Sequence, residues 1–184
     1  DSIMATLFVD KLDPQSGTTL EIGSSGDTIN LAGTVGTGFP ANTPSFRATM
    51  SGDQSLANET FTKIAFNTET WDTNSAYDTS NYRFTVPAGQ GGKYCFIAQI
   101  AIDNLDDTEH IDSAYYINGS RDNLSYLTMW ISKTTNGFGY VNNVYTRSLA
   151  ATDYVEFFGA HSEGSSQNVE ADYSYFGGYK LIGV

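Results

Sequence analysis

The chain has 184 residues, a formal net charge of −12 and a hydrophobic composition of 40%. This length suits one domain with a short appendage, and the apolar fraction is sufficient for a real core. The acidic balance argues against a nucleic-acid partner, because phosphate contacts need clustered lysine and arginine.

Cysteine content and hydropathy exclude further classes of protein. The one cysteine, Cys95, excludes an internal disulfide and is expected to be a small buried hydrophobe. No apolar run is long enough to cross a bilayer, which argues against membrane insertion. The sequence lacks a signal-peptide pattern, and MATLFVD from Met4 is typical of a natural start. We therefore expect residues 1–3 to be an expression remnant and the protein to be made in a cytoplasm.

Residues 4–43 differ from the rest of the chain. Two short alternating runs, Thr19–Ile22 and Thr28–Leu31, are each bounded by glycine. Strands of about 4 residues are too short to bury a face alone. One interpretation is a flexible arm. The other is a stem in which three copies wrap around a shared apolar axis, with residues 33–44 as a linker.

From Ser45 onward, short alternating segments are separated by turn signals, which is typical of a sandwich or barrel. Tyr and Phe are abundant, and no segment of helix length shows an apolar stripe. Asn118-Gly119 is a strong tight-turn dipeptide. The predicted strands are Phe46–Met50, Phe61–Phe66, Ala114–Ile117, Leu124–Ser132, Val141–Leu149, Tyr154–Ala160 and Tyr173–Val184, and residues 71–77 read as irregular.

The segment Tyr82–Asp103 is predicted to be a hairpin whose second strand is the centre of the fold. Alternate residues from Tyr94 to Ile102 are apolar and share one face. Cys95 and Ile97 make part of the other face apolar as well. A strand that is apolar on both faces is covered on both sides. The domain core covers one face of this strand, and a second subunit is a candidate for covering the other face.

Residues 44–184 resemble the globular head of complement component C1q, within the tumour-necrosis-factor-like jelly rolls. The resemblance rests on seven segments that occur in the family's order and spacing. They are Pro44–Ala48; Phe61, Phe66 and Asn67; Tyr77, Phe84, Thr85 and Pro87; Gly92–Phe96; Tyr116–Gly119; Leu149 with Thr152–Val155; and Phe176–Leu181. Thr152 departs from the family's usual glycine, and Lys180 from an apolar residue. A collagen-like tract before the head is missing.

This resemblance implies an all-β, two-sheet antiparallel jelly-roll sandwich that assembles as a homotrimer. It places Tyr94, Phe96 and Tyr179 near the threefold axis, although Phe96 is also expected in the core. The predicted core consists of Phe46, Phe66, Phe84, Phe96, Val155, Phe157 and Phe176.

The amino-terminal segment resembles the openings of tail-fibre and decoration proteins of marine bacteriophages, through Asp10-Lys11-Leu12 and Leu20-Glu21-Ile22-Gly23. The two resemblances together suggest a non-enzymatic bacteriophage virion protein, a fibre or decoration on the virion surface. Residues 4–43 would contact other virion proteins, and the head would bind a host-surface glycan or protein. The alternatives are a secreted C1q- or tumour-necrosis-factor-like ligand and a carbohydrate-cleaving virion enzyme.

The stretch from Asp103 to Ser113 is acidic and is predicted to be a loop. Oxygen-rich loops bind calcium, and some C1q-like heads carry calcium near their apex. The spacing does not match an EF-hand, so solvated charge is the competing interpretation. No other cofactor is expected. The candidate calcium ligands are Asp103, Asp106, Asp107, Glu109 and Asp112.

Receptor binding is expected at loops far from the stem, because loops there connect strands without filling the core. The candidates are Asp106, Asp107, Asn118 and Arg121. Exposed aromatic rings are a second possibility for sugar stacking, with core or subunit seam as the competing interpretation. These aromatic residues are Trp71, Tyr126, Trp130, Tyr140 and Tyr145.

Catalysis has little support in the sequence. His110 and His161 are each predicted to lie in a polar loop, and nothing places serine, histidine and aspartate in a triad motif. A pair of carboxylates for glycoside hydrolysis can always be chosen from 21 acidic residues, so such a pair is not informative.

Overall fold

The computed structural model describes residues 18–20, 22, 25–26, 28, 42–132 and 137–182. The chain divides into two units, Asp1–Phe39 and Pro40–Val184. All the strands given below belong to the second unit. The predicted stem strands, Thr19–Ile22 and Thr28–Leu31, include residues outside the described set, so the stem stays a prediction.

The regular secondary structure in the described part of the second unit is almost wholly strand. Its helical structure consists of two 3₁₀ turns, η1 Asn123–Ser125 and η2 Ala171–Tyr173. Among the described residues, no helix has the length and hydropathy to cross a membrane. The strands are β1 Ser45–Thr49, β2 Gln54–Leu56, β3 Thr62–Lys63, β4 Thr68–Asp72, β5 Tyr77–Asp78, β6 Arg83–Thr85, β7 Gly92–Ile102, β8 His110–Ile117, β9 Ser120–Arg121, β10 Leu127–Trp130, β11 Gly139–Leu149, β12 Tyr154–His161, β13 Gln167–Val169 and β14 Tyr175–Lys180.

These strands form two antiparallel sheets. The first, the β7 sheet, has the order β2-β13-β7-β14-β1-β4, with β11 paired along the other side of β7. The pairing of β11 with β7 runs without a break from Gly139 opposite Ile102 to Leu149 opposite Gly92. The second, the β12 sheet, has the order β10-β8-β12-β6-β5, with β3 beside β12 and β9 beside β8. The predicted two-sheet sandwich is confirmed.

Alternation along β7 decides which side chains fill the space between the sheets. Tyr94, Phe96 and every second residue to Ile102 are wholly buried. Phe84 of the β12 sheet meets Phe96 at a ring-centroid distance of 5.7 Å, so the aromatic core joins the two layers. All seven predicted core residues are at most 1% exposed, which confirms that prediction: Phe46, Phe66, Phe84, Phe96, Val155, Phe157 and Phe176.

The predicted hairpin Tyr82–Asp103 is wrong as a pairing. β6 pairs with β12 and β5, whereas β7 lies in the opposite sheet. The glycine-rich turn therefore crosses between layers. Periodicity cannot tell whether β6 and β7 pair in one sheet or lie in opposite sheets, because an inward-facing aromatic side chain is buried equally in either sheet. Tyr82, predicted to begin the strand, precedes β6 with a φ of 53°.

Two turns need left-handed backbone. Asn118 and Gly119, with φ of 51° and 76°, join β8 to β9 as a two-residue loop, as the sequence predicts. Thr152 has a φ of 74°, where a β-branched side chain is strained. This is the position at which the C1q-like pattern has glycine, so the departure noted in the sequence has a backbone consequence.

Candidate binding surfaces

The three residues predicted near a subunit axis do not share a face. Tyr94 and Phe96 are wholly buried within one chain, and the Tyr94 hydroxyl donates to the Gln90 carbonyl at 2.6 Å. Strand alternation turns both side chains inward, which corrects their assignment to a subunit interface. Tyr179 lies opposite Cys95 on the outer face of the β7 sheet. Of the three, it is the residue that this face presents.

Side chains on the outer face of the β7 sheet line up in cross-strand rows. In the middle row, Val144 lies opposite Ile97, and Ile97 lies opposite Gly177. The row continues into β1 and β4, where Arg47 lies opposite Gly177 and Trp71 lies opposite Arg47. The two flanking rows hold Thr146, Cys95, Tyr179 and Ser45, and Asn142, Gln99, Tyr175 and Thr49. Arg47 is the one charged side chain in these three rows.

A depression of about 340 Å³ lies in the middle row. Gly177 forms part of its floor, where a β-carbon would come within 3.0 Å of the Phe46 carbonyl oxygen. The Arg47 guanidinium lies 4.4 Å from the ring centre of Tyr175 and 6.0 Å from that of Trp71. The only charge of the rows is thus held against aromatic rings, which suits partial desolvation.

Cys95 and Tyr179 interact on the same face. A hydrogen bond with the Cys95 thiol is the main cause that raises the pKa of the Tyr179 hydroxyl, with the thiol's charge and burial adding to it. Cys95 is 8% exposed, as expected of a small buried hydrophobe, although it faces away from the core. The pair places two weakly polar side chains next to each other in this flanking row.

Four of the five aromatic residues considered for sugar stacking or subunit contact are at the surface. Trp71, Tyr126, Trp130 and Tyr140 are 47%, 44%, 66% and 44% exposed, whereas Tyr145 is 8% exposed. The core interpretation therefore holds for Tyr145 alone. Sequence reasoning did not single out Val144, which is 63% exposed, because one valine in an alternating strand carries no signal of its own.

The outer face of the β12 sheet has a different chemistry. Lys63 Nζ lies 2.9 Å from Glu156 Oε1, and Arg83 lies 4.6 Å from the Tyr154 ring centre. Tyr116 and Phe158 stack at 3.8 Å. Its charged and aromatic groups thus contact one another within one chain, although the buried Arg83 Nε has no hydrogen-bond partner among the described residues.

The acidic residues predicted to bind calcium do not converge. Among the described residues, no group of three or more His, Cys, Asp or Glu side chains is placed to hold a metal ion. The Asp103 carboxylate accepts the Asn168 amide at 2.8 Å, and Glu109 accepts the Ser162 hydroxyl. The Asp106 amide donates to Glu163 Oε2 at 2.7 Å. These oxygens connect the loop to the segment after β12.

Asp112 is not in the loop at all. It lies in β8, is 9% exposed, and accepts a hydrogen bond from Thr128 Oγ1 at 2.6 Å. His110 Nε2 lies 3.5 Å from its other oxygen. The strand begins four residues before the predicted Ala114, and this places the carboxylate on the sheet.

The two remaining receptor candidates lie close in sequence, Asn118 in the β8–β9 turn and Arg121 in β9, but differ in role. Asn118 donates to Asp153 at 2.8 Å and accepts the Tyr154 amide at 2.9 Å, so its side chain fastens the turn. This donation is the largest cause that holds the pKa of the Asp153 carboxyl below its ordinary value. Arg121 is exposed, with its guanidinium 5.4 Å from the Phe61 ring centre. Only Arg121 offers its functional group outward.

Both histidines have structural partners. His161 is 1% exposed, and its ring nitrogens lie against the Leu56 carbonyl at 3.1 Å and the Glu163 amide at 3.3 Å. The His110 ring centre lies 4.8 Å from that of Trp130, with the two rings tilted by 51°. The predicted loop positions are wrong, because His110 belongs to β8 and His161 to β12. The Ser162 hydroxyl is hydrogen-bonded to Glu109 and to the His110 backbone amide, not to an imidazole. These contacts anchor the ends of β8 and β12.

Comparison with protein-family models and with curated proteins gave no match. Solved structures do match. Murine APRIL at pH 8.0 has a TM-score of 0.54 and 12% identity, covering 74% of this chain and 98% of that one. The globular domain of zebrafish complement 1qA has a TM-score of 0.49 and 14% identity, covering 76% and 98%. Eiger TNF from S. frugiperda has a TM-score of 0.47 and 14% identity, covering 76% and 92%.

At such low identity these likenesses concern the fold alone. The likeness to murine APRIL and the two antiparallel sheets support a C1q/TNF-like jelly roll, as the sequence resemblance implies. The candidate sites are defined by the geometry of this chain and not by these three structures.

Proposed function

We propose that the protein is a non-enzymatic binding protein that acts as a homotrimer, with the outer face of the β7 sheet buried between subunits. The observation that carries the proposal is the composition of that face. Three cross-strand rows contain a single charged side chain, and Val144, at the β11 end of the middle row, is 63% exposed. Burial of this apolar surface by a second copy is favourable, at roughly 25 cal/mol per Å² of apolar area.

Two further features support self-association through this face. The depression over Gly177 offers a recess for a neighbouring side chain, and Arg47 is already stacked on Tyr175. A ring of identical copies needs one surface patch to meet a different patch on the next copy, which a broad sheet face with a recess and an exposed Val144 provides. The sequence resemblance to C1q-like heads adds the threefold symmetry.

The finer proposal is that this trimer is the head of a bacteriophage fibre or decoration protein that binds a host-surface glycan or protein. Its support is the amino-terminal resemblance, through Asp10-Lys11-Leu12 and Leu20–Gly23. The net charge of −12 suits an exposed particle protein. Residues 4–43 would attach the head to the particle, and the protein would lie on the virion surface.

The assembly is tested by light scattering at micromolar concentration. The chain has a mass of 20.0 kDa, so three copies give 3 × 20.0, about 60 kDa. A molar mass of one chain would contradict the trimer.

The location is tested separately on intact particles. Density for this chain on a virion, together with binding of the purified head to host cells, is the expected result. A soluble protein secreted by its producing cell, with no particle-bound fraction, would instead favour the secreted-ligand alternative. Release of new reducing ends from host polysaccharide would favour the enzyme alternative.

A further inference from the structure

A second concave surface lies at the open edge between the two sheets, away from the rows of the β7 sheet. It has a volume of about 560 Å³, within the range of small-molecule sites. Two of the four arginines in the sequence line it, in a chain with only 9 basic residues against 21 acidic ones. Its lining residues are Ile117, Ser120, Arg121, Asp122, Asn123, Leu124 and Arg147.

The two arginines come from different sheets. Arg121 lies in β9, opposite Tyr116 of β8, and belongs to the β12 sheet. Arg147 lies near the end of β11 in the β7 sheet, and alternation places it on the same side as Tyr145. Tyr145 is covered by the opposite sheet, whereas the Arg147 side chain is 43% exposed. The cleft is therefore formed where the two layers separate.

Arg121 is held in place before any ligand arrives. Its guanidinium lies 5.4 Å from the Phe61 ring centre and 5.3 Å from that of Tyr126. Its Nε donates to Asn123 Oδ1 at 3.1 Å. These contacts use the flat face and one N–H of the guanidinium. A planar guanidinium group fixed in this way loses little conformational freedom when it binds a carboxylate.

Arg147 is positioned by Asp122. Its Nη1 lies 3.4 Å from Asp122 Oδ2, which also accepts the Tyr145 hydroxyl at 2.6 Å. Burial raises the pKa of the Asp122 carboxyl, but the hydrogen bonds from Tyr145 and the Leu124 amide and the charge of Arg147 outweigh it, and the net pKa is lowered. Asp122 thus stays ionised and leaves the cleft with one surplus positive charge from its two arginines.

The backbone beneath the cleft is tied to the core. Ser125 of η1 is 4% exposed, and its hydroxyl accepts the Tyr115 amide at 2.8 Å. Asn143 of β11 donates to the Ser125 carbonyl at 2.8 Å, and the Tyr115 hydroxyl donates to the Asn143 carbonyl at 2.7 Å. A buried hydrogen-bond network of this kind fixes η1 between the two layers. The short helix that carries Leu124 is accordingly hydrogen-bonded to both layers.

We propose that this cleft binds an acidic sugar, with the carboxylate between Arg121 and Arg147 and the apolar ring face against Leu124. Leu124 is 82% exposed on the rim, which has no benefit for folding but suits contact with the C–H face of a sugar. Asn123 and Ser120 offer hydrogen bonds to ring hydroxyls. The inference rests on the proposed host-binding function and names the ligand class of that function.

The test uses the full-length protein and two polyacrylamide polymers, one carrying β-glucuronyl groups and one carrying β-glucosyl groups, which differ by the carboxylate. Binding to the immobilised protein is measured by biolayer interferometry. The glucuronyl polymer is expected to bind at least about tenfold more tightly. Arg121→Gln and Arg147→Gln are each expected to remove about tenfold, because each loses a charge-assisted hydrogen bond. The double variant should not discriminate between the polymers.

Arg83→Gln is the matched control, because it removes the same guanidinium from β6, on the outer face of the β12 sheet and outside both the cleft and the proposed subunit interface. It should leave binding unchanged, and thermal unfolding should show that all variants fold. A third polymer carries carboxylates without a sugar ring. Equal binding of that polymer, equal binding of the glucosyl polymer, or retained preference in the double variant would each overturn the proposal.

Failure of the cleft and failure of the proposed function give different results. A monomer that still binds glucuronyl polymer through Arg121 and Arg147 would contradict the trimer and support the cleft. A trimer whose adsorption to host cells is unchanged in the double variant would keep the proposed function and overturn the cleft as its receptor site.

Discussion

The outer faces of the two sheets differ in the side chains that they carry and in how those side chains are paired. On the β12 sheet, Lys63 pairs with Glu156 at 2.9 Å and Tyr116 stacks on Phe158 at 3.8 Å. On the β7 sheet, Val144, Ile97 and Gly177 follow one another across three strands without a charged group. Charged and polar residues keep a surface in water, whereas a neutral apolar surface gains from burial. This contrast supports our proposal that the β7 sheet face is the one covered by another subunit.

The largest expected effect compares the two faces of β7. Phe96 is wholly buried between the sheets, so Phe96→Ala should lower the free energy of unfolding by roughly 3–5 kcal/mol. Ile97→Ala, one residue further on the outer face, should have a much smaller effect on a subunit that has been dissociated by dilution. Equal losses in urea unfolding of the dissociated chain would show that the outer face is already covered within one subunit.

The next effect concerns the paired charges of the β12 sheet. Glu156 is 7% exposed, and Lys63 Nζ is its ion-pair partner. Lys63→Ala should lower the free energy of unfolding by about 1–3 kcal/mol, because a buried carboxylate loses its donor. The double variant Lys63→Ala/Glu156→Gln should recover part of that loss. If the double variant recovers none of the lost free energy of unfolding, the Lys63–Glu156 ion pair is not what stabilises this face.

The smallest effect concerns a carboxylate at the edge of the β7 sheet with like-charged neighbours. Burial is the first cause that raises the pKa of Glu170 above its ordinary value, and the charges of Asp53, Asp103 and Asp172 raise it further. A raised carboxyl pKa means that the folded state holds the proton more tightly, so stability is lost as pH rises through the folded pKa. Glu170→Gln should therefore stabilise the protein at pH 7 by less than about 1 kcal/mol and have little effect near pH 4. Thermal unfolding at the two pH values measures this, and an equal effect at both would contradict the assignment.

Local pattern was sufficient for the core but not for its topology. Alternation identified Phe84, Phe96 and Phe176 as buried, because an inward-facing strand residue is buried in either sheet. The same alternation placed β6 and β7 in one hairpin, although they lie in different layers. The acidic stretch was predicted as a loop as far as Ser113, but Asp112 already belongs to β8, because isolated charges on a half-buried strand resemble a loop.

The binding surfaces depend still more on long-range pairing. Arg121 and Arg147 are far apart in the sequence and meet only because β9 and β11 end at the same edge of the sandwich. Val144, Ile97 and Gly177 come from three strands, and their alignment follows from register. A single sequence contains no signal for either arrangement, because both are set by which strands pair.

The central claim is that the outer face of the β7 sheet is the subunit interface, and paired charge insertions test it most directly. Val144→Glu and Met129→Glu each place a carboxylate at an exposed apolar position, one on the β7 sheet and the other on β10 of the β12 sheet. Light scattering should give the mass of one chain for Val144→Glu and the mass of three for Met129→Glu, since a charge buried without a partner opposes association. A trimer in the Val144→Glu variant, or a monomer in the Met129→Glu variant, would contradict the account.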